Sequence, residues 1–218
     1  MMASGVPQSS DEVGKPPISV AVVLLAAGRA SRMGEGGPHK LLAEFDGVPL
    51  VRRSAEAAVG SGADSVIAVT GYRADEIVGA LSGLRAVFAH NADFASGMAS
   101  SLIAGFSCVE ARQADGILVM LADMPGITTE DLRLLLAAFR GAGGNAIVRA
   151  VSRGKRGNPV ILPRAVYGEV MRLRGDVGAR HIIEGSGIPI IDVDIGEAAH
   201  LDVDTPEAVV AAGGVLKA

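Results

Sequence analysis

The chain of 218 residues is long enough for one large domain with a substantial apolar core. Its formal net charge of −4 argues against a general nucleic-acid-binding protein, although a local basic pocket for phosphate remains compatible with it. The single cysteine, Cys108, excludes an internal disulfide framework and a cysteine-based zinc site.

Residues 1–18 contain Ser, Gly, Pro and mixed charge without an apolar segment, so we predict a disordered leader there and no signal peptide. The first apolar run, Val20–Ala27, is too short to cross a membrane. We therefore expect a cytoplasmic protein that associates with no membrane and folds as a single domain over residues 19–218.

Beyond residue 18, apolar runs alternate with helical patterns, which is typical of an α/β protein with a mostly parallel sheet. A core of Val, Ile, Leu and Ala suits strands that are buried on both faces. The predicted strands are Ser19–Leu25, Ser65–Val69, Arg85–Ala89, Gly116–Leu121, Ala146–Ala150, Pro159–Leu162 and Ile190–Val193. The predicted helices are Pro49–Gly60, Ala74–Leu81, Met98–Ala111, Thr129–Gly141, Arg164–Met171, Ala179–Glu184 and Thr205–Ala212. The polar stretch Val151–Asn158 is predicted to be a mobile loop.

A Gly-rich segment, Ala26–Lys40, follows the first predicted strand, and ligands of open α/β sheets collect at the carboxyl ends of strands. Small residues let backbone N–H groups approach an anion, and Arg29, Arg32 and Lys40 add three cations. These features favour a triphosphate site over an ordinary turn with solvated basic residues. Neither common Gly-rich nucleotide pattern is present, which argues against a Walker-type ATPase or kinase.

Two carboxylate positions are candidates for a magnesium site. Asp123 follows the predicted strand Gly116–Leu121, where an acid would lie beside the phosphate loop. Asp202 and Asp204 would share one face of an extended segment, and of the two we favour Asp204. The alternative interpretation is that Asp123 belongs to a turn and that Asp204 or Thr205 caps the last helix.

Three further segments carry small or charged residues that suit a ligand. Asn91–Leu102 opens a helix and could place Ser and backbone donors near a nucleotide. Arg153–Pro159 and Arg174–Arg180 are basic and Gly-rich, and their cations suit a phosphate group. Within Arg153–Pro159, Lys155 and Arg156 are individually expected to be solvated loop charges. The histidines show no metal-ligand spacing, and no role is assigned to His39, which precedes Lys40.

The motif Leu-Ala-Ala-Gly-Arg-Ala-Ser-Arg-Met-Gly over residues 25–34, followed by Lys40-Leu41-Leu42, resembles the signature of MobA-like nucleotidyltransferases of molybdopterin-dinucleotide synthesis. The resemblance extends over nearly the whole chain after the leader. It implies a Rossmann-like three-layer α/β/α fold of the nucleotide-diphospho-sugar transferase type. Within this family, Leu-Ala-Ala-Gly resembles the CTP-using members, so the choice of base depends on Ala27.

The resemblance also implies roles for individual residues and the identity of the ligands. Arg32, Lys40 and Asp123 would be catalytic, and Asp123 and Asp204 would bind Mg²⁺ as the cofactor. The nucleotide would contact Leu25, Ala26, Ala27, Gly28, Arg29, Lys40, Ser96, Gly97 and Ser101. Asn158, Asp176 and Arg180 would bind the acceptor. The expected partners are a nucleoside triphosphate, with CTP favoured, and a phosphorylated pterin, with a molybdoenzyme or its maturation factor as a further candidate.

The implied reaction transfers CMP from CTP to the terminal phosphate of a molybdopterin-type cofactor and releases pyrophosphate. Such an acceptor is already ionised at neutral pH, so alignment and charge neutralisation would carry catalysis. Two other functions remain open. The scaffold could serve an NAD(P)H-dependent oxidoreductase of heteroaromatic substrates, or a non-catalytic carrier of the molybdenum cofactor.

Overall fold

The computed structural model describes residues 17–33 and 37–217. The predicted leader, residues 1–18, therefore lies outside the described residues except for its last two, and so does Gly34 at the end of the loop motif. None of the helices in the described part of the chain combines the length and apolar character needed to cross a membrane.

A seven-stranded sheet forms the centre of the molecule, with the strand order β5-β4-β1-β6-β8-β7-β9. All neighbouring strands are parallel except β8, which runs antiparallel to both β6 and β7. The prediction of a mostly parallel α/β sheet is confirmed. In the described residues the strands are β1 (Val20–Ala26), β2 (Glu44–Phe45), β3 (Val48–Pro49), β4 (Ser65–Thr70), β5 (Val87–His90), β6 (Gly116–Leu121), β7 (Ile147–Ser152), β8 (Lys155–Pro163) and β9 (Ile190–Asp194), with β2 and β3 forming a separate hairpin.

The helices follow the predicted order. They are α1 (Leu50–Gly60), α2 (Ala74–Ala80), α3 (Met98–Ser107), α4 (Val109–Gln113), α5 (Thr129–Gly141), α6 (Tyr167–Val170), α7 (Arg180–Gly185) and α8 (Pro206–Ala211). At the start of α5, the Thr128 hydroxyl accepts from the Asp131 N–H and the Asp131 carboxylate accepts from the Thr128 N–H, which completes a capping box. The helix predicted over Met98–Ala111 is divided, because Cys108 adopts an extended backbone between α3 and α4.

Alternate residues of β1 pack on opposite faces of the sheet, which produces the three layers. Val22 and Leu24 belong to an apolar cluster with residues of α1 and α5. Ala21 and Val23 belong to a second cluster with residues of α3. Strands buried on both faces can carry continuous apolar runs, as β1 does. The three-layer arrangement leaves the carboxyl ends of the parallel strands as the place where side chains can meet a ligand.

The prediction of a mobile loop over Val151–Asn158 was wrong. Ser152 pairs with Lys155, and the two residues between them form the turn of the β7–β8 hairpin. Arg153 and Gly154 both have positive φ, 50° and 75°, as a type I′ turn requires. A two-residue Arg-Gly turn therefore closes a regular hairpin in a stretch whose polar composition had indicated a loop.

Candidate active site

The loop after β1 presents backbone donors at the carboxyl edge of the sheet. Ala30 has a φ of 51°, in the left-handed region, and its carbonyl accepts from the Met33 N–H at 2.9 Å. The N–H groups of Gly28, Arg29 and Ala30 donate to no other residue in the described part of the chain. Successive free N–H groups around a left-handed residue form the kind of concavity that binds anions.

Lys40 links the two carboxylates that the sequence singled out. Its ammonium lies 2.5 Å from Asp123 Oδ2 and 2.6 Å from Asp204 Oδ1, and only 11% of its side chain is exposed. Burial lowers the pKa of Lys40, but the charges and hydrogen bonds of Asp123 and Asp204 outweigh burial and leave the pKa above its ordinary value. The hydrogen bond from Lys40, assisted by Arg32, holds the pKa of Asp204 below its ordinary value. The ammonium therefore remains charged at neutral pH.

Asp204 reaches Lys40 through an ordered coil. The Val203 N–H donates to the Asp123 carbonyl at 3.0 Å, and the Val203 side chain is fully buried. The sequence predicted a strand that would place Asp202 and Asp204 on one face, but residues 201–204 form no strand. Of the two acids, Asp204 contacts Lys40 and Asp202 is exposed. Thr205 caps α8 by accepting from the Ala208 N–H, so the carboxylate of Asp204 is left for Lys40 and Arg32.

The donor set at this centre fits a hard divalent cation. Asp123 Oδ1 is buried and has no hydrogen-bond partner among the described residues, which is costly for a carboxylate oxygen unless a ligand satisfies it. Within the same part of the chain, no group of three or more His, Cys, Asp or Glu side chains is placed to hold a metal. Asp123 and Asp204 could therefore supply only part of a coordination shell, as is usual where Mg²⁺ also binds substrate phosphates.

A pocket of about 260 Å³ opens beside this centre. Six of the predicted nucleotide-binding residues line it: Leu25, Ala27, Gly28, Lys40, Gly97 and Ser101. Phe94 contributes an aromatic wall, and Asn91 fixes the Ser101 hydroxyl with a hydrogen bond of 3.0 Å. The pocket thus combines backbone donors, a lysine and apolar walls, which suits a phosphorylated ligand with a flat ring.

Three predicted nucleotide-binding residues do not line this pocket. Ala26 is buried within β1. The Arg29 guanidinium lies 5.4 Å from the centroid of the Phe94 ring, and the Ser96 hydroxyl donates to the Asp93 carbonyl at 2.8 Å. The Arg29 cation and the Ser96 hydroxyl therefore contact protein groups and do not line the pocket.

Asp176, which was predicted to bind the acceptor together with Asn158 and Arg180, does not line the same pocket as they do. It lines the first pocket, where its carboxylate accepts from the Met98 N–H at the start of α3. Gly97 permits this placement because it lacks a side chain: a Cβ added there would lie 2.6 Å from the Asp176 nitrogen. The φ of 111° at Gly97 is also accessible mainly to glycine. The close backbone contact between the two segments brings Asp176 to the first pocket.

A second pocket of about 290 Å³ adjoins the first and shares Leu25, Met98 and Leu121 with it. Asn158 and Arg180, which were predicted to bind the acceptor, both line this second pocket.

Arg149 and Arg156 also line the second pocket. The sequence had not indicated Arg149 as a site residue, and Arg156 was expected to be a solvated loop charge. Arg156 and Arg180 both donate to Oε1 of Glu184, and the hydrogen bond from Arg156, followed by that from Arg180, lowers the pKa of Glu184. Arg149 forms a two-pronged contact with Asp192. The sequence feature that could have identified Arg149 is that it is a single charged residue within an apolar strand.

His39, to which the sequence gave no role, contacts the loop after β1. Only 3% of the residue is exposed, and its ring contacts both the loop and the turn that carries Lys40. Its signal was its position next to the lysine of the motif.

Comparison with protein families matches residues 22–190 to the MobA-like NTP transferase domain. Nicotine blue oxidoreductase of Paenarthrobacter nicotinovorans is 32% identical over 197 residues, which cover 86% of this chain and 93% of that protein. The Rv0371C protein of Mycobacterium tuberculosis, solved as a complex with manganese, is 25% identical, with a TM-score of 0.71 over 88% of this chain and 97% of its own. A nucleotidyl transferase from Methanothermobacter thermautotroptrophicus shares the fold, with a TM-score of 0.74, 24% identity and coverage of 89% and 95%.

Proposed function

The chain belongs to the MobA-like NTP transferase family and is a nucleotidyltransferase, and on that premise we propose that it transfers CMP from CTP to the terminal phosphate of a molybdopterin-type cofactor. The observation that carries the proposal is the cluster of Lys40, Asp123 and Asp204, of which Lys40 and Asp123 line the first pocket. It places an ammonium and carboxylate oxygens where a triphosphate and its metal would be required.

The two adjoining pockets support a reaction between two bound substrates. CTP would occupy the first pocket, with its phosphates on the N–H groups of Gly28, Arg29 and Ala30. The acceptor would occupy the second pocket. Because the pockets share Leu25, Met98 and Leu121, the reacting groups can approach each other without a large rearrangement of the chain.

In the proposed reaction, a terminal phosphate oxygen of the acceptor attacks the α-phosphorus of CTP. The new P–O bond forms as the bond between the α-phosphorus and its bridging oxygen breaks, and pyrophosphate leaves with that bond's electron pair. The acceptor oxygen is already ionised, so the site needs no general base. Lys40 and Arg32 neutralise the negative charge that accumulates on the phosphates.

Asp123 and Asp204 would hold a divalent cation, for which we propose Mg²⁺. Asp123 Oδ1, which is buried and finds no hydrogen-bond partner among the described residues, supports this assignment. The manganese complex of the related Mycobacterium tuberculosis protein supports it as well. When bound, the cation would supply charge neutralisation and orientation of the triphosphate.

The choice of substrates depends on fewer residues. Ala27, which lines the first pocket, favours CTP. On the acceptor side, Asn158 and Arg180 lie with Arg149 and Arg156 around a largely apolar floor, which suits a flat heterocycle that carries a phosphate. A molybdoenzyme or its maturation factor would receive the product, and the cytoplasm is the expected compartment.

A second candidate function is NAD(P)H-dependent oxidation or reduction of a heteroaromatic substrate, which the 32% identity to nicotine blue oxidoreductase favours. A non-catalytic molybdenum-cofactor carrier is a third. The retention of Lys40, Asp123 and Asp204 in one cluster supports nucleotidyl transfer over both.

One set of assays distinguishes these functions. Thermal shift with CTP, GTP, ATP and NADPH, each with Mg²⁺, identifies the ligand, because binding to the native state raises the melting temperature. We expect CTP to give the largest shift and to release pyrophosphate when molybdopterin is added. NADPH oxidation with a dye acceptor would instead support the oxidoreductase, and pterin binding without pyrophosphate release from any nucleotide would support the carrier.

A further inference from the structure

The buried imidazole of His39 connects the two parts of the phosphate-binding segment. Its Nδ1 accepts from the Leu41 N–H at 3.3 Å, at the start of the short helical turn that carries Lys40. Its Nε2 lies 3.2 Å from the Gly28 carbonyl oxygen. Because Nδ1 accepts, the proton of the neutral ring is on Nε2, which therefore donates to Gly28.

The ring is held in this orientation by its surroundings. It stacks on Tyr72, with the ring centroids 5.8 Å apart. Burial lowers the pKa of His39, and the smaller opposing effect of the hydrogen bond with the Gly28 carbonyl does not reverse this direction. The ring is therefore neutral at neutral pH. The two hydrogen bonds therefore use each nitrogen once, one as acceptor and one as donor.

The hydrogen bond to the Gly28 carbonyl fixes the orientation of the whole Gly28–Arg29 peptide. In a planar trans peptide the C=O and N–H point in opposite directions. Holding the Gly28 carbonyl against His39 therefore directs the Arg29 N–H away from the ring, and this N–H donates to no residue in the described part of the loop.

We infer that His39 is a positioning residue that clamps the Gly28–Arg29 peptide in the orientation that offers its N–H to the triphosphate. This inference rests on the proposed function, since it assigns the triphosphate to this loop. His39 contacts no substrate itself; it acts through Gly28 and through the turn that carries Lys40.

Two substitutions separate the two hydrogen bonds. In His39→Asn the side-chain oxygen replaces Nδ1, which keeps the bond to Leu41 and loses the bond to Gly28. In His39→Gln the side-chain nitrogen replaces Nε2, which keeps the bond to Gly28 and loses the bond to Leu41. His90→Asn is the control, because His90 is exposed and lies outside both pockets.

The measurements are the dissociation constant of Mg²⁺–CTP by calorimetry, the KM and kcat for CTP, and the melting temperature, with all assays run below the melting temperatures. We expect His39→Asn to raise the dissociation constant and KM by about three- to tenfold, with kcat much less affected, because the lost orientation weakens ground-state and transition-state binding alike. His39→Gln should restore most of the affinity while melting at a lower temperature than the wild-type protein. A change in folding alone would not weaken CTP binding in His39→Asn while leaving it nearly intact in the less stable His39→Gln.

Wild-type affinity in His39→Asn, or equal loss of affinity in both variants, would overturn the clamp. Should His39→Asn not fold, His39→Gln decides the matter, because a large loss of affinity there contradicts the clamp and retained affinity supports it. CTP binding by the wild-type protein without pyrophosphate release would contradict the proposed transfer but leave the clamp testable by binding. Pyrophosphate release by the wild-type protein, with unchanged affinity in His39→Asn, would contradict the clamp alone.

Discussion

Lys40 shows how one cation can organise a pair of acids at the scale of single residues. Two carboxylates beside each other would repel, but the ammonium between Asp123 and Asp204 offsets the repulsion between them. The same charge is available to phosphate oxygens. Under the proposed function, the side chain that pairs the two acids in the free protein would also neutralise a bound triphosphate.

The pairing predicts how acid affects stability. The pKa of Asp204 is lowered in the folded state, so its stabilising effect is complete above the unfolded pKa of about 3.9 and is lost as the pH falls through the folded value. We expect the stability difference between the wild-type protein and Asp204→Asn to change by no more than about 1 kcal/mol between pH 7 and pH 3, because the carboxylate is partly exposed. The wild-type protein should lose stability relative to Asp204→Asn as the pH falls.

Urea denaturation of both proteins across this pH range measures the effect. Asp202→Asn serves as the matched control, because Asp202 is exposed and two residues away. A stability difference between the wild-type protein and Asp204→Asn that stays constant from pH 7 to pH 3 would contradict the assigned pairing.

Some site residues could be predicted from the sequence and others could not. Asp123 and Lys40 follow apolar or Gly-rich segments in a way that already indicates the carboxyl edge of the sheet. Arg156 could not be assigned to a pocket, because its neighbour Glu184 lies 28 residues away on α7 and only the tertiary structure brings them together. His39 gave a weak signal, since a lone histidine can serve many purposes.

At the scale of elements, strands and helices with strong apolar patterns were predictable, and β6 and α5 have the predicted bounds. The errors lie where the backbone conformation of single residues determines the secondary structure. The β7–β8 hairpin depends on positive φ at Arg153 and Gly154, and the break between α3 and α4 depends on an extended Cys108. Composition alone does not specify either conformation.

The contact between the start of α3 and the Gly175–Asp176 segment gives a prediction at this scale. Gly97→Ala would force an unfavourable backbone conformation and a Cβ at 2.6 Å from the Asp176 nitrogen. We expect a loss of about 1–3 kcal/mol in the free energy of unfolding, together with weaker nucleotide binding, because Gly97 and Asp176 both line the first pocket.

The control is Gly79→Ala in α2, where an added Cβ meets no atom within 4 Å. This substitution should stabilise the protein by up to about 1 kcal/mol, since alanine favours helix more than glycine does. If urea unfolding ranked the two variants in the opposite order, the close contact at Gly97 would not have the assigned role.

At the scale of the whole molecule, the sheet brings together segments that are far apart in the chain. The loop after β1, the acid after β6 and the acid before α8 meet at one edge, and the Val203–Asp123 hydrogen bond links the last two. The fold type was predictable because alternating strands and helices leave few other arrangements. The placement of Asp176 in the first pocket was not predictable, because it depends on how two loops pack.

The most direct test of the proposed metal-assisted transfer is pyrophosphate release from CTP, with molybdopterin and Mg²⁺, by the wild-type protein, Asp123→Asn and Asp202→Asn. We predict that Asp123→Asn lowers kcat by about a hundredfold or more, since a charge that stabilises the transition state is lost. Its melting temperature should stay close to that of the wild-type protein, and Asp202→Asn should retain wild-type turnover. Unchanged turnover in Asp123→Asn, or an equal loss in Asp202→Asn, would contradict the proposal.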